Sequence, residues 1–271
     1  MKSIALKEMQ KIELDLLIEL DRVCSENGLR YYIDGGTLLG AMCYEGFIPW
    51  DDDIDIKMPR PDYDRLLNMG DLFPSHVTLD APSKNHCEYT MLKLVDNRTL
   101  LIEENKGIKK ETGVYLDVLP MDAHPSDPAE CEEHIRKLQK YNSLFHHSLK
   151  HFKELKESKS FVGKIKGFMY DVVYSPWTIY QKLTRTAKRF DYDSAQEVGL
   201  LVEGNPIKER FKKSWLEPEI RMEFEGYMIS APNNYREHLA IFYGDHVLNP
   251  EYYHNLPRID SNHNHQVYWR E

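Results

Sequence analysis

The sequence predicts an α+β fold, a mixed sheet with helices packed on it and a helical addition. Three observations predict it. Residues 6–26 carry an apolar stripe at helical spacing. Between residues 30 and 119 the apolar runs are short and punctuated by Gly, Pro and Asp-Asn. Residues 129 to about 190 then read as helical and lysine-rich, before strand and helix signals return near the C-terminus. These boundaries divide the chain into a core over 1–124, the helical addition over 125–215, and a segment over 216–271 that returns to the core.

The first helix places Leu6, Met9, Ile12, Leu16, Leu20 and Val23 on one face and ends at Asn27-Gly28, a left-handed stop. Arg30–Ile33 reads as a buried strand running into Gly35-Gly36. Thr37 is expected to cap a helix through Leu38, Leu39, Ala41 and Met42. Glycines at a helix start let a phosphate approach bare N–H groups, which makes Gly35, Gly36 and Thr37 candidate phosphate binders. Gly46–Trp50 reads as a loop and Asp53–Met58 as a strand.

Asp51, Asp53 and Asp55 alternate with Asp52, Ile54 and Ile56. In an extended strand, side chains two apart share a face roughly 6.6–7 Å from one to the next. Three carboxylates on one face repel unless a cation sits among them, and a hard divalent ion such as Mg²⁺ (or Mn²⁺) takes oxygen ligands of this kind.

Pro59-Arg60-Pro61 stops that strand, and Asp62–Met69 reads as a helix capped by Asp62. Tyr89–Val95 and Thr99–Ile102 flank Asp96-Asn97-Arg98, a hairpin signal. Lys93 in the first of these strands either snorkels to water or reaches a phosphate. Val114–Leu119 is a further strand with Asp117 at its centre. Such a carboxylate wants a partner, either a salt bridge or a metal facing the Asp53/Asp55 strand. Pro120–Pro128 reads as a loop.

In the helical addition, lysines from Lys137 to Lys166 alternate with Phe152, Phe161, Phe168, Tyr170, Trp177 and Tyr180. The plain reading is a solvated face over a core; the sharper one is a peripheral contact with an anionic membrane surface. Glu219–Ile229 reads as a strand or hairpin. Asn233 or Asn234 precedes a helix over Tyr235–Tyr243 that ends at Gly244. His254, His263 and His265 lack zinc-ligand spacing and read as surface residues.

The string IDGGTLLGAMCYEGFIPWDDDIDI resembles the LicD family within the nucleotidyltransferase superfamily. VYLDVLPMD (Val114–Asp122) and FEGYMISAP with YREHLAIFYGD extend the likeness, which is clearest over about the first 125 residues and the last 50. The resemblance implies a polymerase-β-like fold and a CMP-releasing phosphotransferase. Such an enzyme would move phosphocholine from CDP-choline to a hydroxyl of a cell-surface glycan precursor: teichoic acid, capsule or lipopolysaccharide, in free or lipid-linked form. CDP-ribitol or CDP-glycerol as donor, and a degenerate nucleotide-binding protein, are the alternatives. On this reading Asp53, Asp55 and Asp117 hold the metal, with Asp51 assisting, Asp117 or Asp51 accepts the hydroxyl proton, and Lys93 meets phosphate. Tyr44, Trp50 and Tyr115 flank these motifs; each reads as core, or as part of an aromatic cage for choline.

Composition closes off other classes. Of 271 residues, 44 are acidic and 35 basic, a net charge of −9 that disfavours nonspecific nucleic-acid binding. No apolar run reaches the roughly 18–20 residues of a spanning helix, and the N-terminus lacks a signal-type apolar region, so a cytoplasmic location is expected. The scattered Cys24, Cys43, Cys87 and Cys131 predict free thiols. P-loop, G-x-S-x-G and HExxH motifs are absent from the sequence.

Overall fold

A computed structural model describes residues 1–105, 108–156, 174–203, 205–249 and 265–270. The chain divides into two units, one formed by Met1–Asp80, Leu92–Leu119 and Lys212–Glu271, the other by Ala81–Met91 and Pro120–Phe211.

In the first unit, α1 (Leu6–Asn27) is an amphipathic helix whose stop is Gly28, at φ 61°, with its N–H bonded to the Cys24 carbonyl. From the predicted stripe Met9, Ile12, Leu16, Leu20 and Val23 are buried, while Leu6 at the first turn stays exposed. Met9 and Ile12 pack with Leu101, Val114 and Val267 from the sheet.

The sheet runs β1 (Tyr32–Ile33), β2 (Asp55–Pro59), β5 (Ile108–Ala123), β4 (Leu92–Asn105) and β10 (His265–Trp269), with β3 (Val77–Asp80) also on β4. β1 pairs antiparallel with β2, and β3, β5 and β10 pair antiparallel with β4. Between β1 and β2 lies α2 (Gly35–Tyr44). A β-hairpin of β8 (Ile220–Phe224) and β9 (Tyr227–Ala231) and a helix over Tyr235–Tyr243 complete the unit.

Several elements differ from the sequence reading for local reasons. Asp96-Asn97-Arg98 is a bulge inside β4, not a hairpin turn, because the register against β5 shifts between Asp96 and Leu101. The Asp96 carboxylate accepts the Arg98 N–H at 2.9 Å, and Thr99 Oγ1 donates to the Asp96 carbonyl while accepting from Val114 N. Side chains thus satisfy the backbone where the ladder is interrupted. Asp62 does not cap its helix. That helix, α3, spans Arg60–Leu66 with Pro61 in its first turn, and buried Asp62 accepts from Arg30 Nε at 2.7 Å. The stretch after Leu119 is not all loop: β5 continues to Ala123.

In the second unit Asp122 and Ala123 pair with β6 (Glu197–Gly199), and β6 pairs with β7 (Arg210–Lys212). Helix α4 (Pro128–Lys156) packs against a helix over Pro176–Ala187 through Leu138, Leu183 and Ala187. Phe145, Ile179 and Cys87 form a second apolar cluster that Trp177 and Tyr180 cover, their rings stacked 5.6 Å apart. Here those two aromatics serve a core. Lys159, Phe161, Lys164, Lys166, Phe168, Tyr170, His254 and His263 lie outside the described residues. None of the helices described is long and apolar enough to cross a membrane, and all four cysteines are free.

Candidate active site

The site is built where β1, α2, β2 and β5 meet. Asp34 follows β1 directly, and its N–H donates to the Asp55 carbonyl at 3.0 Å, so the chain is still tied to the sheet when α2 begins. Asp34 therefore occupies the N-cap position predicted for Thr37. Thr37 sits inside the first turn, buried, with Oγ1 accepting the Asp55 N–H at 3.0 Å; it pins the acidic strand.

Gly35 adopts φ +52°, and a Cβ there would lie 3.2 Å from Asp55 Oδ2. A Cβ on Gly36 would lie 2.7 Å from Asp51 Oδ2, closer than side-chain atoms tolerate. The two glycines thus let carboxylates approach the positive end of a helix.

The acidic run is not one extended strand. Asp51 N–H closes a turn onto the Ile48 carbonyl at 2.9 Å, and β2 starts only at Asp55. The strict alternation expected for 51–55 is therefore lost: Asp52 joins Asp51 and Asp53, and one oxygen from each lies within 4.8 Å of the others. Ile54 and Ile56 do enter the core.

Asp117 reaches the same place from β5, its N–H donating to the Ile54 carbonyl at 3.0 Å. Lys93 stands opposite Asp117 in the β4–β5 ladder, and its Nζ lies 2.8 Å from Asp117 Oδ1. The same ammonium sits 3.3 Å from the Tyr115 ring centroid, and Tyr115 OH donates to Glu103 at 2.7 Å. One face of Tyr115 is thus already covered by a cation. Tyr44 is exposed at the end of α2, and Trp50 is half-buried just before the acidic run.

Other participants went unnoticed in the sequence. Gln10 and Glu13 of α1 are buried; Gln10 Nε2 donates to the Asp51 carbonyl at 2.8 Å. Glu13 Oε2 and Asp51 Oδ2 are buried without a hydrogen-bond partner among the described residues. A Glu on the buried side of the stripe, between Ile12 and Leu16, was the available signal. Asp34, Lys57 and His238 are also buried. The Asp34 carboxylate is ion-paired with Lys57 and lies 2.6 Å from His238 Nε2.

The electrostatics follow from crowding. Burial, then Asp53 and Asp52, push Asp51 up to about 7. Burial and next Asp53, Asp52 and Asp51 raise Glu13 well above the carboxylate range. Asp55 is likewise raised, by burial first and then by Asp53, Asp117 and Asp34, against the pull of Lys57. Asp34 goes the other way: burial would raise it, but Lys57 and His238 together outweigh that and hold its carboxyl low. Burial lowers His238 more than Asp34 raises it, and because an ionised carboxylate can only accept, the Nε2–H of His238 is the donor to Asp34. A surplus of carboxylates with bare buried oxygens fits a hard divalent cation.

A pH-dependent stability follows. A carboxyl raised in the folded state keeps the proton that the unfolded chain has already released. Its contribution to stability therefore falls as pH rises from the ordinary value of 3.8 to about 7. In EDTA, Asp51→Asn is expected to match the parent near pH 4 and to exceed it by ~3 kcal/mol at pH 7.5. Denaturant melts at both pH values check this, and a difference independent of pH would refute it.

Residues 28–156 match the family model described as LicD/FKTN/FKRP, nucleotidyltransferase domain. The chain is 29% identical over 258 residues to the lipopolysaccharide cholinephosphotransferase LicD of Haemophilus influenzae, covering 92% of this chain and 94% of that protein. It is 22% identical over 236 residues to the ribitol 5-phosphate transferase FKRP of Mus musculus, covering 83% of this chain but 30% of that protein. The glycine pair, the acidic run and Asp117 all fall within the matched segment, so the likeness to the LicD/FKTN/FKRP nucleotidyltransferase domain rests on the residues that build the candidate site.

Proposed function

We propose that this LicD-family phosphotransferase takes a CDP-activated alcohol, CDP-choline first, and passes the phosphoalcohol to a hydroxyl of a cell-surface glycan precursor. The observation that carries the reading is the crowd of Asp51, Asp52, Asp53, Asp55 and Asp117 beside a glycine-opened helix. Near end-to-end similarity to the Haemophilus protein supports choline as the alcohol. We assign the first unit to the polymerase-β-like nucleotidyltransferase fold and the enzyme to the cytoplasmic face of the membrane, with the helical segment as its peripheral contact.

In this reaction the acceptor oxygen bonds to the phosphorus that bears the alcohol, and the phosphorus–oxygen bond to CMP breaks. CMP leaves with the electron pair. The hydroxyl proton goes to a carboxylate. Asp51 suits that role better than Asp117, because Asp51 Oδ2 is bare whereas Lys93 sits on Asp117 Oδ1. Asp53 and Asp55 would hold Mg²⁺ or Mn²⁺, with Asp117, Asp51 and Asp52 near enough to share it. The ion would neutralise charge developing on the diphosphate. Gly35, Gly36 and Thr37 orient the donor phosphate at the helix start, and Lys93 answers its charge.

A second reading, with CDP-ribitol or CDP-glycerol as donor, is favoured by one observation. The Tyr115 face that would meet a quaternary ammonium already carries Lys93. That leaves Trp50 and Tyr44 for a choline cage.

The test is CMP release from CDP-choline, CDP-ribitol and CDP-glycerol in the presence of a glycan extract, with Mg²⁺, Mn²⁺ or EDTA. Metal-dependent release, fastest with CDP-choline, is expected. Faster turnover of CDP-ribitol would discard choline, and no release from any of the three would discard the reading.

A further inference from the structure

We infer that His238 is a positioning residue for the catalytic motif: through the Asp34 carboxylate it holds the Gly35 turn against Asp55. The C-terminal helix would then complete a site whose family match ends at residue 156. The kinetic half of this inference rests on the function proposed above.

His238 is fully buried, at 0% exposure, on the helix Tyr235–Tyr243. Burying an imidazole is unfavourable unless its N–H is satisfied, and here the partner is Asp34 Oδ1 at 2.6 Å. The other oxygen, Oδ2, faces Lys57 of β2, itself 1% exposed. Phe242, one turn on from His238, lies 4.5 Å under the Lys57 ammonium, so the same helix touches both partners of Asp34.

The Asp34 backbone is held equally firmly. Its N–H donates to Asp55 O at 3.0 Å, and its carbonyl accepts from Leu38 N at 3.0 Å. The next residue is Gly35, at φ +52° and against the Asp55 carboxylate. With both oxygens and both backbone groups engaged, Asp34 leaves the glycine turn one orientation. His238 and Phe242 bring into this network residues from outside the matched segment, and of the two His238 is the one bonded to Asp34. Groups that orient a site without touching substrate commonly contribute about 10–100-fold to its function.

The test compares His238→Met, which fills the volume but lacks a donor, with His238→Gln, whose amide can reach the same oxygen. Hydrogen exchange is read on peptides covering residues 34–44 and 235–243, and CMP release gives kcat and KM. His238→Met is expected to speed exchange in the 34–44 peptide and to lower kcat about 30-fold, with donor KM within about threefold. His238→Gln should restore most of both. If His238→Met loosens only the 235–243 peptide, or His238→Gln behaves like it, the inference is overturned. A parent enzyme that releases no CMP from any CDP-alcohol would sink the proposed function, while the exchange comparison still decides the role of His238.

Discussion

Asp55→Asn is expected to abolish CMP release, by about a thousandfold or more, and to make the metal-free protein more stable. Loss of a metal-holding charge worth ~4 kcal/mol in the transition state corresponds to that factor. The gain in stability has the opposite origin. Asp55 is held among Asp53, Asp117 and Asp34, and burial together with these charges raises its pKa. A neutral amide removes the repulsion while keeping the shape, and the Thr37 hydroxyl still accepts the backbone N–H of residue 55. Thermal melts in EDTA should therefore shift upward at neutral pH, and added Mg²⁺ should raise the parent more than the variant. Asp53→Asn should behave in the same way. Full activity in either variant would remove the metal assignment.

Lys93→Met should have the reverse signature. With side chains 12% and 19% exposed, the Lys93–Asp117 pair is largely shielded from solvent. Removing one partner of such a pair leaves a stranded charge and costs about 2–4 kcal/mol. Here the carboxylate that loses Lys93 also faces Asp55. The variant is expected to melt well below the parent in EDTA, to regain much of the difference with Mg²⁺ or Mn²⁺, and to regain it without metal when Asp117→Asn is added. An unchanged melt in EDTA would show that the pair contributes nothing. CMP release by Lys93→Met should fall because the donor phosphate loses its cation, and the fall should persist at saturating metal.

Much of the fold was legible because local chemistry and tertiary demand agree. Of the two readings of Glu219–Ile229, strand or hairpin, the structure has the hairpin, and the α1 stripe after Leu6 with its glycine stop and the helix Tyr235–Tyr243 ended by Gly244 appear as read. The bulge at Asp96-Asn97-Arg98 did not, because turn-forming residues satisfy a bulge as well as a turn. A sequence cannot say whether the chain reverses there or runs on. Asp62 looked like a cap because Asp favours caps; its partner, Arg30, lies on a distant segment.

By itself, the sequence determined the chemical identity of the site: a glycine pair opening a helix, a dense acidic run, and Asp117 with Lys93 on later strands. Those residues at those spacings also carry the likeness to the LicD/FKTN/FKRP domain. Only the tertiary structure decided which charges meet. The turn at Ile48–Asp51 gathers Asp52 with Asp51 and Asp53, where an extended strand would have separated them. Strand register put Lys93 on Asp117 and across the Tyr115 face. Helix packing brought Glu13 to the acidic run, and packing of a segment some 200 residues away brought His238 to Asp34. The physical reason is that spacing along a chain reports only local geometry. Charge interactions depend on distance through space, and burial, which strengthens them, exists only once the chain has folded.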